Sequence, residues 1–316
     1  VDEDIRKGSS GPTPGEGATD ERGRWVTQDA TRLARLVWQF GEPLQAVSYY
    51  APETRSATDA LGLKGGWMSY FGCRAAPLGA VGAAAVTAVF YNFRPSMVER
   101  AIPDVWSYAT PQELVEARWS AMDLALRRIL GDAIASPALQ SAARLATAAV
   151  ESGDFDGRVL GRANAVLRPP PEPHVALWQA LSALREHRGD GHVMSLVSHG
   201  VGPCEALVLQ AATGRSPTEG LRANRGWSPE EWSTAREALV ERRWLDAAGV
   251  VTPDGAATRE VIEHETDRLG ATAIAGLGQA RSTELIDALR PLAMRVMDSG
   301  EVPAHNNMGF PWPPEG

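Results

Sequence analysis

The chain has 316 residues, 44% of them hydrophobic, enough for a substantial core in one large helical domain or two smaller ones. Its formal net charge of -8 opposes non-specific attachment to nucleic acid or to an anionic membrane. Two cysteines, Cys73 and Cys204, make neither a disulfide framework nor a zinc set, and no apolar run reaches the roughly 18 residues of a membrane span.

Residues 1–24 are rich in Gly, Ser, Pro, Asp and Glu and carry no apolar signal region. They are expected to be a disordered tail on a cytoplasmic protein. A helical N-terminal domain is expected over 25–168, with helices at 27–40, 52–61, 65–75, 95–101, 111–130 and 137–151. Thr110-Pro111-Gln112-Glu113 carries the clearest start signal: threonine caps, proline takes the first turn and glutamate reaches back. Val86 to Phe93 is β-branched and aromatic, and reads as a short strand or as a helix end. The proline-rich run Arg168-Pro169-Pro170-Pro171-Glu172-Pro173 cannot continue a helix and sets a domain boundary.

Beyond it, a C-terminal domain is expected over 174–299, with helices at 174–187, 192–199, 203–213, 228–243, 254–269 and 280–299. Ser228-Pro229-Glu230-Glu231 repeats the capped start. Trp244-Leu245-Asp246 and Val250-Val251-Thr252 flank Ala247-Ala248-Gly249 in a hairpin pattern. The tail 300–316, with Phe310 and Trp312, is expected to pack on the body. The fold class is mainly α: a two-lobed helical protein with a winged-helix-like C-terminal domain and a small β-hairpin wing.

The densest chemistry lies at Leu184-Arg185-Glu186-His187-Arg188-Gly189-Asp190-Gly191-His192, which reads as a turn between two apolar helices. Glycines there allow a tight reversal that lets His187 and His192 converge. With Asp190 and Arg188 they form an acid–base set, or with Glu186 or Asp190 a metal site. The bland alternative is a helix end, where His187 and Arg188 offset the dipole and Asp190 caps the next helix. No His-x-x-x-His or Cys-x-x-Cys accompanies the run, so no metal is expected. Three other segments are candidate substrate contacts. Gln45, Tyr49, Tyr50 and Glu53 pair tyrosine hydroxyls with a carboxylate. Tyr91, Asn92 and Arg94 set a planar guanidinium fork beside aromatic rings. Trp67 and Trp178 belong to a chain rich in tryptophan, which serves either core packing or a flat apolar pocket.

Residues 228–269 run as capped helix, Glu241-Arg242-Arg243-Trp244-Leu245-Asp246, glycine turn, Val251-Thr252-Pro253-Asp254-Gly255 and long helix. This order resembles the second half of a winged helix-turn-helix domain of the MarR type, which implies DNA binding through the helix before the wing. Glu230 and Glu231 in that helix's first turn, and a wing without Lys or Arg, oppose contact with phosphates. Over residues 30–312 the chain resembles a family of actinobacterial proteins labelled helix-turn-helix-like. The match is carried by the stretches 42–53, 74–81, 91–93, 184–192, 225–227 and 307–311. That resemblance places a histidine where this chain has Gln45, and a histidine or small residue where it has Arg94. It implies altered metal or proton-transfer chemistry here.

No Gly-x-Gly-x-x-Gly after a strand, P-loop or Gly-x-Ser-x-Gly elbow is present, so no cofactor is expected. The expected function is a cofactor-independent enzyme of specialised metabolism. It would hold a hydrophobic small molecule in an interhelical pocket and act by acid–base or conformational catalysis. His187 or His192 would be the acid or base, Asp190 its orienter and Arg94 or Tyr49 the polariser. The alternative is a ligand-responsive winged-helix regulator or small-molecule-binding protein. Expected partners are the hydrophobic ligand and a second copy of the chain, not DNA or a membrane.

Overall fold

The computed structural model describes residues 28–214, 216–304, 306 and 308–314, so the tail expected at 1–24 lies outside the described residues. The fold is all-helical. In chain order the helices are α1 (Gln28–Tyr50), α2 (Pro52–Ala60), α3 (Gly65–Ala75), α4 (Ala83–Phe90), α5 (Pro95–Glu99), α6 (Pro111–Leu130) and α7 (Pro137–Ser152). They continue with α8 (Val159–Ala165), α9 (Pro173–Ser198), α10 (Pro203–Ala212), α11 (Thr218–Asn224), α12 (Pro229–Glu241), α13 (Pro253–Ala271) and α14 (Gly278–Asp298). Capping boxes form where the sequence signals them, at Thr110–Glu113 and Ser228–Glu231.

Of the two readings of Val86 to Phe93, the helix end forms and the strand does not: α4 runs from Ala83 to Phe90. Other expectations need correction. No strand forms among the described residues, and the hairpin pattern yields one antiparallel bridge, Leu245 with Val251. The Asp246 N–H donates to the Val250 carbonyl and the Thr252 N–H to the Trp244 carbonyl, after which Pro253 opens α13. Too few residues separate the turn from the helices for a ladder to extend, so the expected wing is a tight loop. The largest departure is at 184–192. The expected turn is the middle of α9, a single helix of 26 residues.

Each glycine inside a helix costs about 1 kcal/mol relative to alanine. Packing offsets that cost in α9. A Cβ on Gly191 would lie 3.0 Å from the Arg158 guanidinium and 3.1 Å from Leu269 Cβ, so glycine lets these elements close on the helix. The helix is buried on nearly every side between Trp178 and Gly191.

Two apolar cores explain why. The larger takes in α1 to α8, the first half of α9, the end of α13 and α14, with Phe40, Phe71, Met122, Leu145, Trp178 and Leu289 at its centre. The smaller gathers Leu196, Val208, Leu239 and Ile262 from the end of α9, α10, α12 and α13, with Val201 and Leu245 from the loops between them. Among the described residues only α9 and α13 run from one core into the other, and between the cores both carry charge. The prolines at 169–171 lie outside helices, yet the larger core holds Leu160 before them and Leu177 after them. The apolar division therefore falls along α9 rather than at the boundary expected at 168–174.

A short segment staples the two units together. Tyr91 has a positive φ of 40°, and its hydroxyl donates to the Val201 carbonyl at 2.6 Å. The Asn92 carbonyl accepts from Trp227 Nε1 at 2.9 Å, and the Arg94 N–H donates to the Arg225 carbonyl at 3.0 Å. In the described part of the C-terminal tail, Val302 and Phe310 are buried, and Trp312 meets Phe40 edge-on at 6.3 Å. Among the described residues no single helix is long and apolar enough to cross a membrane.

The contact between α8 and α9 is the tightest test of this packing. A Cβ on Gly161 would lie 2.8 Å from His187 Cα and 2.9 Å from its backbone nitrogen. Gly161→Ala is expected to destabilise the protein by about 1–3 kcal/mol despite its better helix propensity. Chemical denaturation measures it, and an unchanged midpoint contradicts the close approach.

Candidate functional site

The charged run on α9 divides by helix face. Glu186 is buried and receives three guanidinium contacts: Arg74 Nε at 2.8 Å, Arg74 Nη2 at 2.9 Å and Arg185 Nη1 at 2.9 Å. Arg185 also stands 3.6 Å from Glu42, whose other oxygen accepts from Trp38 Nε1 at 2.9 Å. Burial alone would push the Glu186 carboxyl up, but Arg185 and Arg74 outweigh it and hold it down at about 2. Arg188 pairs with Asp267 of α13 at 2.7 Å and lies over the Trp38 ring at 4.5 Å. Arg35 of α1 donates to the same Asp267 at 2.6 Å. These pairs form a charged belt between the two cores.

The two histidines do not converge. His187 is fully buried, with Phe155 edge-on at 5.0 Å and Nε2–H donating to the Asp154 carbonyl at 2.9 Å. Burial, aided by Arg158, pushes its imidazole down to about 4, so the ring is neutral near neutral pH. It lines no cleft. Asp190 shares the α8-facing side of α9 with His187 and accepts the Gly161 N–H at 2.9 Å, capping α8 from another helix. Burial raises its carboxyl to about 6 against that hydrogen bond.

His192 is different. Its Nδ1 lies 3.0 Å from Thr266 Oγ1, and that hydroxyl already donates to the Ile262 carbonyl at 2.7 Å. The hydroxyl can therefore only accept, which fixes the proton on Nδ1 and leaves Nε2 as the bare acceptor. Burial lowers the pKa of this ring from its ordinary value.

Two clefts meet at His192. One, of about 850 Å³, runs between α9, α10 and α13 beneath Met308 and Pro311 of the tail. The other, of about 570 Å³, opens between α3, the end of α4, α9 and Arg225. Both are of ligand-binding size. They share Asn92, Arg185, Gly189, His192, Gln210 and Met308. Arg185, Gly189, His192 and Leu196 recur at three- and four-residue steps, so one face of α9 forms the floor. Gly189 has no side chain to obstruct it. A smaller cavity of about 160 Å³ beneath Gln45 shares Tyr49, Tyr50, Arg74 and Glu186 with the second cleft.

Of the residues anticipated from the sequence, Tyr49, Tyr50, Trp67, Tyr91, Asn92 and His192 line the second cleft. Trp67 meets Tyr70 and Phe93 edge-on there and Phe71 at a tilt. Asn92 Oδ1 is buried without a partner, and so is Gln45 Oε1 in the smaller cavity. Arg188 lines the first cleft beside His192. The others lie elsewhere. Glu53 is held by Arg128 at 2.6 and 2.9 Å on the outside of the molecule, and Arg128 also takes Glu301 at 2.8 Å. Arg94 is spent on Glu231 at 2.8 Å across the units. Trp178 is fully buried, donates to the Gln45 carbonyl at 3.2 Å and sits under Arg118 at 4.8 Å.

Sequence reasoning missed Arg74 and Arg225 at the cleft and Glu186 as its charged centre. Helical spacing of Arg185 with Gly189 and His192 was the available signal, hidden because the two glycines suggested a turn. Among the described residues no group of three or more His, Cys, Asp or Glu is placed to hold a metal ion.

A family model described as a helix-turn-helix family matches residues 34–303, and the chain belongs to that family. No curated protein and no solved structure matches it.

Two outcomes follow from this division of the run. Glu186→Gln leaves two buried arginines without their carboxylate and is expected to cost about 3–5 kcal/mol, measured by denaturant unfolding; a loss below about 1 kcal/mol contradicts the assignment. His187 and Asp190 oppose one another in their pH dependence. His187 is neutral in the folded state and protonated when unfolded between pH about 4 and 6.5, so acidification there removes stability. Asp190 is protonated when folded and ionised when unfolded between pH 3.8 and about 6, so acidification there adds it. Asp190→Asn removes the opposing effect. Its stability is expected to fall more steeply than the wild type's between pH 6.5 and 4 in denaturant titrations, and parallel curves contradict the pairing.

Proposed function

We propose, on the premise of that family membership, that this protein binds a small apolar molecule in the cleft between its two units. The carrying observation is the floor of α9, where Arg185, Gly189 and His192 face a space lined by Tyr49, Trp67, Tyr70 and Tyr91. Concave, mostly apolar surfaces with a few convergent polar groups are the usual form of such sites. The walls come from both units, so an occupant touches the larger core's helices and the α10–α12 unit together. That arrangement suits a ligand-responsive protein, since a ligand that favours one arrangement of the units shifts their equilibrium.

The helix that would read DNA in a helix-turn-helix is α12. Its exposed positions include Glu230, Ser233, Thr234, Glu237 and Glu241, an outward face that repels phosphate. This supports use of the helix-turn-helix unit as a wall of the cleft rather than as a DNA reader. One observation favours a second reading, a cofactor-independent enzyme: neutral His192 presents a bare Nε2 to the cleft, in the protonation state of a general base.

Gly189 supplies the test. A Cβ there meets nothing closer than Glu186 Oε2 at 3.7 Å, so a larger side chain extends into the cleft. Gly189→Leu also removes a helical glycine, worth up to about 1 kcal/mol of stability. The neutral dye Nile red is expected to bind the wild type with a rise in fluorescence and to bind Gly189→Leu at least tenfold more weakly, with the melting temperature equal or higher. Equal binding by the two proteins, or none by the wild type, contradicts the reading.

A further inference from the structure

Arg225 lines the second cleft together with Arg185, Gly189 and His192 of the α9 floor, and its guanidinium has unspent capacity. The group lies 4.6 Å over the Phe93 ring. Among the described residues it has no side-chain hydrogen bond and no carboxylate partner. Its ionisable neighbours are Tyr70, Arg74, Arg185 and Tyr50. The other two arginines of the cleft are engaged: Arg74 and Arg185 converge on Glu186, and Arg185 reaches Glu42 as well. Three guanidiniums thus meet two carboxylates, and Arg225 is the one left over. An arginine remains charged under any ordinary condition, so the cleft holds one positive charge that the protein does not neutralise.

The rest of the wall completes a description of the occupant. Trp67, Tyr70 and Phe93 form an aromatic face beside the guanidinium. Asn92 Oδ1 is a buried acceptor without a donor, and His192 Nε2 is a second acceptor on a residue that lines the same cleft. We infer that the cleft selects a planar aromatic monocarboxylate, its carboxylate forked by Arg225 and its ring laid against Trp67 and Tyr70, with a hydroxyl or amine of the ligand donating to Asn92 or His192. This rests on the ligand-binding reading above and adds the charge and shape of the ligand. One planar fork matches one carboxylate in bidentate geometry. A phosphate dianion asks for more positive charge than the single unpaired guanidinium supplies. The site also explains why the position matters to the fold. Arg225 follows α11, and its carbonyl accepts the Arg94 N–H that staples the two units. A ligand held there sits at the joint.

Calorimetric titration with 2-naphthoate, 2-naphthamide and 2-naphthyl phosphate tests the inference on the full chain. Wild type is expected to bind naphthoate at least tenfold more tightly than the neutral amide of the same shape. Arg225→Gln is expected to reduce that preference below threefold while leaving naphthamide affinity and the melting temperature nearly unchanged, and Arg225→Lys to fall between the two. A naphthoate preference that survives in Arg225→Gln overturns the assignment to Arg225. A phosphate ester bound tenfold more tightly than naphthoate overturns the carboxylate. Equal wild-type binding of naphthoate and naphthamide, with both lost in Gly189→Leu, overturns the charge inference and leaves the cleft reading standing. Binding of none of the three overturns both.

Discussion

The structure depends on one constraint: α9 passes through two apolar cores and must carry charge where it leaves the first and enters the second. At that level no apolar partner surrounds it on all sides, and buried charges persist there only in pairs. Glu186 answers Arg74 and Arg185, and Arg188 answers Asp267 on the neighbouring α13. Each carboxylate draws guanidiniums from separate elements, so the belt fixes where α1, α3 and α13 stand relative to α9. The clefts open along this belt, because a layer of paired charges does not close as tightly as a layer of leucine and phenylalanine.

The same constraint separates structural from available groups within the run 184–192. His187 and Asp190 face α8, where one seats the Asp154 carbonyl and the other caps a helix. His192, Gly189 and Arg185 face the space. A cluster that looks like an acid–base set in one dimension is therefore split by the helical period into a packing face and a floor. Burial enforces the division chemically as well: the buried imidazole and the capping carboxyl are both held in their neutral forms over part of the acidic range.

Much of the helical architecture was legible in the sequence because capping signals are local. Thr110-Pro111-Gln112-Glu113 and Ser228-Pro229-Glu230-Glu231 start helices where they stand. The error at Gly189 and Gly191 was of another kind. Glycine preference is a small local term, and at Gly191 tertiary contacts with Arg158 and Leu269 overrode it. The hairpin pattern at 244–252 failed for want of length, since one bridge cannot grow when Pro253 starts a helix. The aromatic residues at 49, 50, 67 and 91 were recognisable as candidates, and they do share one cleft. Arg74 and Arg225 were not recognisable, because nothing in their neighbourhoods reveals that one is paired with a carboxylate more than a hundred positions away and the other is left free.

Amide hydrogen exchange across Arg185 to His192 tests most directly whether the charged run is buried mid-helix floor. In a helix buried between two cores these amides exchange only through large-scale unfolding. Their protection is expected to match that of Leu177 to Leu184 in the larger core. Rapid exchange at Gly189 to His192, while Leu177 to Leu184 stay protected, would show a turn there and contradict both the belt and the cleft built on it.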